Sequence, residues 1–109
     1  MRKLFVGLAV ATSALLGLST SAFAKCGDVS MAEMNWASAE LMANIDKVIL
    51  EEGYGCNVEL VAGATMPSFT SMNEKGQPDV AAELWINAVR NPLNKAMKEG
   101  RLHSVVEGP

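Results

Sequence analysis

Much of the usual chemical equipment is missing from this chain. It holds one histidine, His103, and two cysteines, Cys26 and Cys56, in 109 residues. A lone histidine with no ligand cluster around it leaves a metal site without support. The absence of C-x-x-C leaves the cysteines without the spacing of a redox pair. There is no G-x-S-x-G, no P-loop and no G-x-G-x-x-G, and no Ser/His/Asp set to place. Nothing asks for an enzyme or a cofactor. Cations are also short: nine Lys and Arg stand against twelve Asp and Glu, a formal net charge of −3. Nucleic acid and anionic membrane surfaces attract basic patches, so neither fits as a partner. No internal repeat, low-complexity run or linker interrupts the chain.

The amino terminus reads as a secretory signal peptide. Arg2 and Lys3 supply a positive start, Leu4 to Leu18 an uncharged apolar stretch, and Ala22-Phe23-Ala24 a small-x-small cleavage pattern. The apolar run is short for a membrane span and ends in Ser, Thr and Ala. Lys25 before Cys26 argues against a lipid-modified cysteine. Residues 1–24 are therefore excluded from the fold. Their removal takes two cations and no anions, leaving 85 residues with a formal charge of −5. A chain of that size buries only a modest core. Both cysteines lie in the exported part, where oxidation is favoured, so a Cys26–Cys56 disulfide is the default expectation.

Strands and helices alternate along the exported part. Val29–Met34 predicts a first strand, and Ser38–Glu52 a first helix. That helix carries Leu41, Ile45, Val48 and Ile49 on one face, with Ser38 as its cap and Gly53 as its stop. Asn57–Ala62 predicts a second strand. Cys26 and Cys56 then fall at the same end of adjacent parallel strands, as a disulfide needs. Met66–Lys75 predicts a second helix, capped by Thr65, with Pro67 in its first turn and Gly76 after it. Asp79–Leu84 predicts a third strand, Asn91-Pro92 opens a third helix that stops at Gly100, and Leu102–Val106 reads as the start of a fourth strand. The pattern β-α-β-α-β-α-β argues for an α/β fold with a parallel sheet and flanking helices.

Two tryptophans occupy matching places in this pattern. VSMAEMNW ends a strand on Trp36, and DVAAELW ends another on Trp85. Open α/β sheets place their ligands at the carboxyl ends of strands, and one parallel sheet would bring both indoles to the same edge. A Trp is commonly an ordinary core or rim residue. Two at matching strand ends suggest a cation site, because the ring face carries negative potential. Each is followed by a helix start, Ala37-Ser38 after Trp36 and Ile86-Asn87 after Trp85, whose N–H groups suit a polar or anionic end of a ligand. The scattered carboxylates read as solvated helix-face charges. The methionines are too spread for a metal site.

The segments NWASAE at 35–40, EEGYGCNVELV at 51–61, GQPDVAAELW at 76–85 and NAVRNPL at 87–93 resemble the opening of the substrate-binding proteins of glycine betaine/choline (quaternary amine) ABC transporters. The likeness runs over about Cys26 to Val106. It implies a two-lobed, type II-like periplasmic binding fold. It also implies an aromatic box around a trimethylammonium group, of which Trp36 and Trp85 match two walls, with Ala37 and Ser38 beside them. The implied partners are glycine betaine, choline or a relative, and a permease at the inner membrane; a monomer in the periplasm is the implied state. Such proteins are longer, so residues 25–109 are expected to form part of the N-terminal lobe, a truncated first-lobe portion. Two other readings stay open: a protein of the same fold for another small solute, and a small secreted disulfide-stapled domain with a structural or docking role.

Overall fold

The computed structural model describes residues 26–105; the expected signal peptide, residues 1–24, lies outside them. The elements in chain order are β1 (Gly27–Met34), α1 (Ala37–Val48) running into a π-helical turn (Ile49–Gly53), β2 (Cys56–Gly63), α2 (Thr65–Lys75), β3 (Val80–Ala81), a 3-10 turn (Ile86–Ala88) and α3 (Arg90–Lys98). The three strands form a parallel sheet in the order β2-β1-β3. The chain thus has the expected α/β architecture.

β1 is the central strand. Ser30, Met31, Ala32 and Met34 are all buried, the signature of a parallel strand covered on both faces. It pairs with β2 from Gly27↔Cys56 to Met34↔Gly63, and with β3 at Met31↔Val80 and Ala32↔Ala81. A disulfide joins Cys26 to Cys56 where β1 and β2 begin. One core cluster, Met31, Ala43, Cys56 and Val58, lies between α1 and the sheet. A second, Ala32, Met34 and Ala39, lies toward the carboxyl ends of the strands, with Trp36, Ala81 and Leu84 packed against it.

α1 docks by a different face from the expected one. Its buried residues are Ala39 and Ala43, whereas Leu41, Ile45, Val48 and Ile49 are between 42 and 61% exposed. The helix has two apolar sides about half a turn apart. The alanine side faces the sheet, since small side chains let a helix axis approach closely. Lys47 and Glu51 reach the edge of the sheet. Lys47 donates to Val58 O and to Glu51 Oε1 at 2.9 Å, and Val58 N–H donates to the same Glu51 oxygen at 3.2 Å. Both outward backbone groups of Val58 on the edge strand β2 are thereby occupied, which blunts that edge.

Several boundaries also differ. The expected caps Ser38, Thr65 and Asn91 lie inside their helices; the caps are Trp36, Ala64 and Val89, none with a side-chain bond. The first helix passes through Gly53, and the left-handed glycine after it is Gly55, φ 68°. Gly76 ends α2 in the left-handed conformation, φ 70°. The strand expected over Asp79–Leu84 shortens to Val80–Ala81. Asp79 clamps it to β1: Asp79 N–H donates to Ser30 O at 2.9 Å, while the Ser30 N–H and hydroxyl donate to Asp79 Oδ2 at 2.8 and 2.7 Å. These bonds, the hydroxyl first, hold the Asp79 carboxyl below its ordinary value against desolvation. Past Ala81 the chain bends, and the Glu83 carboxylate meets both indoles. The fourth strand is absent over residues 102–105, and residue 106 lies outside the described range. There Arg101 ties the chain to α2, donating to Asn73 O at 3.2 Å.

Candidate ligand site at the strand ends

The strand order determines where a ligand can sit. From β1 the chain crosses to β2 on one side, then passes back over β1 to β3 on the other. The carboxyl ends of β1 and β3 therefore border the topological switch point, where open α/β sheets hold their ligands. Trp36 stands two residues beyond β1 and Trp85 four beyond β3. The two expected site residues thus meet, with ring centroids 5.3 Å apart and planes tilted by 48°.

Their supports are unequal. Trp36 is the extended N-cap of α1, with φ −140° and ψ 152°; its N–H donates to Met34 O and its carbonyl accepts from Glu40 N–H, both at 3.0 Å. Its half-buried ring packs on the Ala32, Met34 and Ala39 cluster. Trp85 is 62% exposed and leans on Trp36. Both indole Nε1–H groups donate to one carboxylate oxygen, Glu83 Oε1, each at 2.9 Å. The Trp85 bond, then the Trp36 bond, then the Ser38 hydroxyl hold the Glu83 carboxyl below its ordinary value, against desolvation. Glu83 is therefore ionised at neutral pH. Ala37 and Ser38 are exposed in the first turn of α1.

The geometry limits what such a pair can hold. An apolar or cationic group needs about 3.5–4 Å from each ring face, so roughly 7–8 Å between opposed rings. At 5.3 Å the indoles touch. They make two adjoining walls of a corner, which a ligand meets from the open side. Their N–H donors are already occupied, so the corner offers ring faces and apolar edges, with a negative carboxylate at the N–H edges. That surface suits a cation with an apolar exterior.

Residues 27–108 match the family model described as the substrate binding domain of ABC-type glycine betaine transport system. The chain belongs to that family. No curated protein matches the chain. Membership makes it a substrate-binding component of an ABC transporter, a non-catalytic part whose place is outside the cytoplasm and whose partners are a small molecule and the transporter. Among the described residues no helix is long and apolar enough to cross a membrane, and no group of three or more His, Cys, Asp or Glu is placed to hold a metal.

Cys26 and Cys56 lie at the opposite ends of the strands from the tryptophans. So does a cleft of about 330 Å³ lined by Asp28, Ser30, Asn57, Glu59, Gln77 and Asp79. Its polar groups largely bond one another: Asn57 donates to Asp28 Oδ1 at 2.8 Å, and Ser30 is clamped to Asp79. Sequence reasoning missed Glu83, grouping it with the solvated carboxylates. The available signal was its place two residues before Trp85, close enough in sequence for its carboxylate to reach the indole N–H.

Proposed function

We propose that the protein captures glycine betaine, choline or a related quaternary amine and delivers it to a permease in the inner membrane. The cation rests against Trp36 and Trp85, and the first turn of α1, at Ala37 and Ser38, faces the ligand's polar end. Residues 1–24 direct export to the periplasm, and the mature protein is a monomer with residues 25–109 in its first lobe. The observation that carries this reading is the indole corner at the switch point, with its N–H groups tied to an ionised carboxylate. Family membership supports the solute class.

The corner alone is a weak binder. Cation–π contacts contribute about 0.5–1 kcal/mol at exposed rings and about 2 when desolvated. Two rings thus supply about 1–3 kcal/mol, less than the roughly 4 kcal/mol of a millimolar complex. The 109-residue chain by itself should bind betaine more weakly than millimolar; micromolar affinity by calorimetry would overturn that arithmetic. The deciding test is tryptophan fluorescence of the exported protein titrated with glycine betaine and then choline. A saturable change is expected, and Trp36→Ala and Trp85→Ala should each weaken the affinity by about 2- to 30-fold. An unchanged affinity in both variants refutes the site. Silence with both amines, and a response to an amino acid or carboxylate, refutes the solute class.

A further inference from the structure

We propose that Glu83 is the positioning residue of the aromatic corner: its Oε1 atom gathers both indole N–H groups and sets the angle at which Trp36 and Trp85 meet. The inference deepens the function proposed above and rests on it for the identity of the ligand, but its structural part stands on the contacts alone.

The contacts on Trp85 make the case. Its ring is 62% exposed, on the stretch between β3 and the 3-10 turn. The partners that restrain it are the Trp36 ring and Glu83 Oε1. Trp36 is packed from below, yet its Nε1–H reaches across to the same oxygen at 2.9 Å. A carboxylate oxygen has two lone-pair directions, and both indoles use Oε1. Bonds to an ionised acceptor are shorter and about twice as strong as neutral ones. One side chain therefore ties Trp36, the residue that links the end of β1 to α1, to the stretch after β3, the pieces that border the switch point. Without it Trp36 keeps its packing, while Trp85 keeps only a ring contact that an exposed side chain readily exchanges for water.

The same placement gives Glu83 an electrostatic effect on the ligand. It sets a negative charge at the Nε1 edges of the two rings. It draws a cation toward the ring faces and repels an anion that would otherwise stack there. Trp36 and Trp85 give the corner its surface, and Glu83 gives it its angle and its preference for positive charge.

The test uses Glu83→Ala and Glu83→Gln in the exported protein, read first without ligand. Two indoles in contact at a fixed tilt produce an exciton couplet in the far-ultraviolet circular dichroism, and Trp36→Ala must abolish it to show that it belongs to this pair. The parent should show the couplet. Glu83→Ala should lose most of it and expose Trp85 to acrylamide quenching, with cooperative thermal unfolding retained. Glu83→Gln keeps an oxygen that can accept both N–H groups and should retain most of the couplet. In the ligand arm, Glu83→Gln should bind betaine several-fold more weakly than the parent, because the charge is gone, and Glu83→Ala more weakly still. A couplet of parental size in Glu83→Ala overturns the positioning role, and so does a parent with no couplet. A normal pattern of couplets in a protein that binds no quaternary amine leaves Glu83 as the organiser and refutes the ligand instead.

Discussion

Breaking the Cys26–Cys56 bond should remove a large share of the stability of this domain. The two residues are 30 positions apart in sequence. Loop-closure entropy for that separation gives about 3–4 kcal/mol of stabilisation through the unfolded state. A core in a domain this small rarely supplies more than about 3–5 kcal/mol, so the bond and the core contribute on the same scale. With about 4–8 °C of melting temperature per kcal/mol at this size, reduction should lower Tm by about 12–30 °C. The assay is thermal unfolding by far-ultraviolet circular dichroism with and without reductant, beside the Cys26→Ser variant. Cys26 is the better position to replace, because Cys56 is buried in the core with Met31, Ala43 and Val58 and a hydroxyl there would add a desolvation term of its own. The bond lies at the start of β1, which extends seven residues further to Met34, about 23 Å at the usual rise. Below the lowered Tm the tryptophan signals should therefore be unchanged. A loss of less than about 3 °C in fully reduced protein would refute the reasoning, since it would mean that the loop is already restrained in the unfolded chain.

Gly63 marks a close approach of β2 to α2: a Cβ placed there would stand 2.1 Å from Ser68 Oγ, with Ser68 Cβ next at 3.5 Å. Gly63→Ala should cost about 1–3 kcal/mol, and adding Ser68→Ala should recover most of it, as a double-mutant cycle in urea would show. Stability should also fall on acidification. The Asp79 and Glu83 carboxyls sit below their ordinary values of 3.8 and 4.5, so the folded state binds fewer protons than the unfolded one. Their contribution is present above those values and is lost as pH drops through and below them; Asp79→Asn should flatten the Tm profile in that window. Lys47→Ala should uncover the outer backbone of Val58 on β2, and light scattering on warming should show earlier aggregation than in the parent; equal onset would remove the edge-guard role.

The strand and helix order was legible because its signals are local. The β-branched and apolar run after Cys26 and the run after Cys56 fold as the two long strands, and Gly76 ends its helix where a left-handed residue is needed. The docking face of α1 was not legible. Its 3.6-residue period is satisfied equally by Leu41, Ile45 and Val48 and by Ala39 and Ala43. Which stripe faces the sheet is decided by how the chain enters at Trp36 and leaves at Gly55, and by the partners that Lys47 and Glu51 find on β2. Strand three is shorter than its pattern suggested: its residues have strand propensity, but pairing with β1 extends only over Val80 and Ala81, and pairing partners are not visible in a one-dimensional pattern. The two tryptophans were legible as a matched pair. Glu83 was not, because one carboxylate among twelve acidic residues has no distinguishing mark until its donors converge.

The contact between the indoles depends on the order of the strands more than on the two residues themselves. Neighbouring strands lie about 4.8 Å apart, close enough for side chains just past their ends to touch, as the indoles do at 5.3 Å. With β2 between β1 and β3 the strand ends would stand about 10 Å apart, and the rings would be separated instead of sharing a carboxylate oxygen. The observed order requires the chain to return over β1 after β2, and the Ser30–Asp79 clamp fixes the register of that return. The clamp joins mid-β1 to the residue just before β3, upstream of the tryptophans, and by fixing the register it bears on where Glu83 and Trp85 project. Loosening it should act on the corner from a distance. Ser30→Ala removes the hydroxyl that holds Asp79 and should weaken the indole couplet together with the fold, whereas Glu83→Ala should remove the couplet and leave the fold in place.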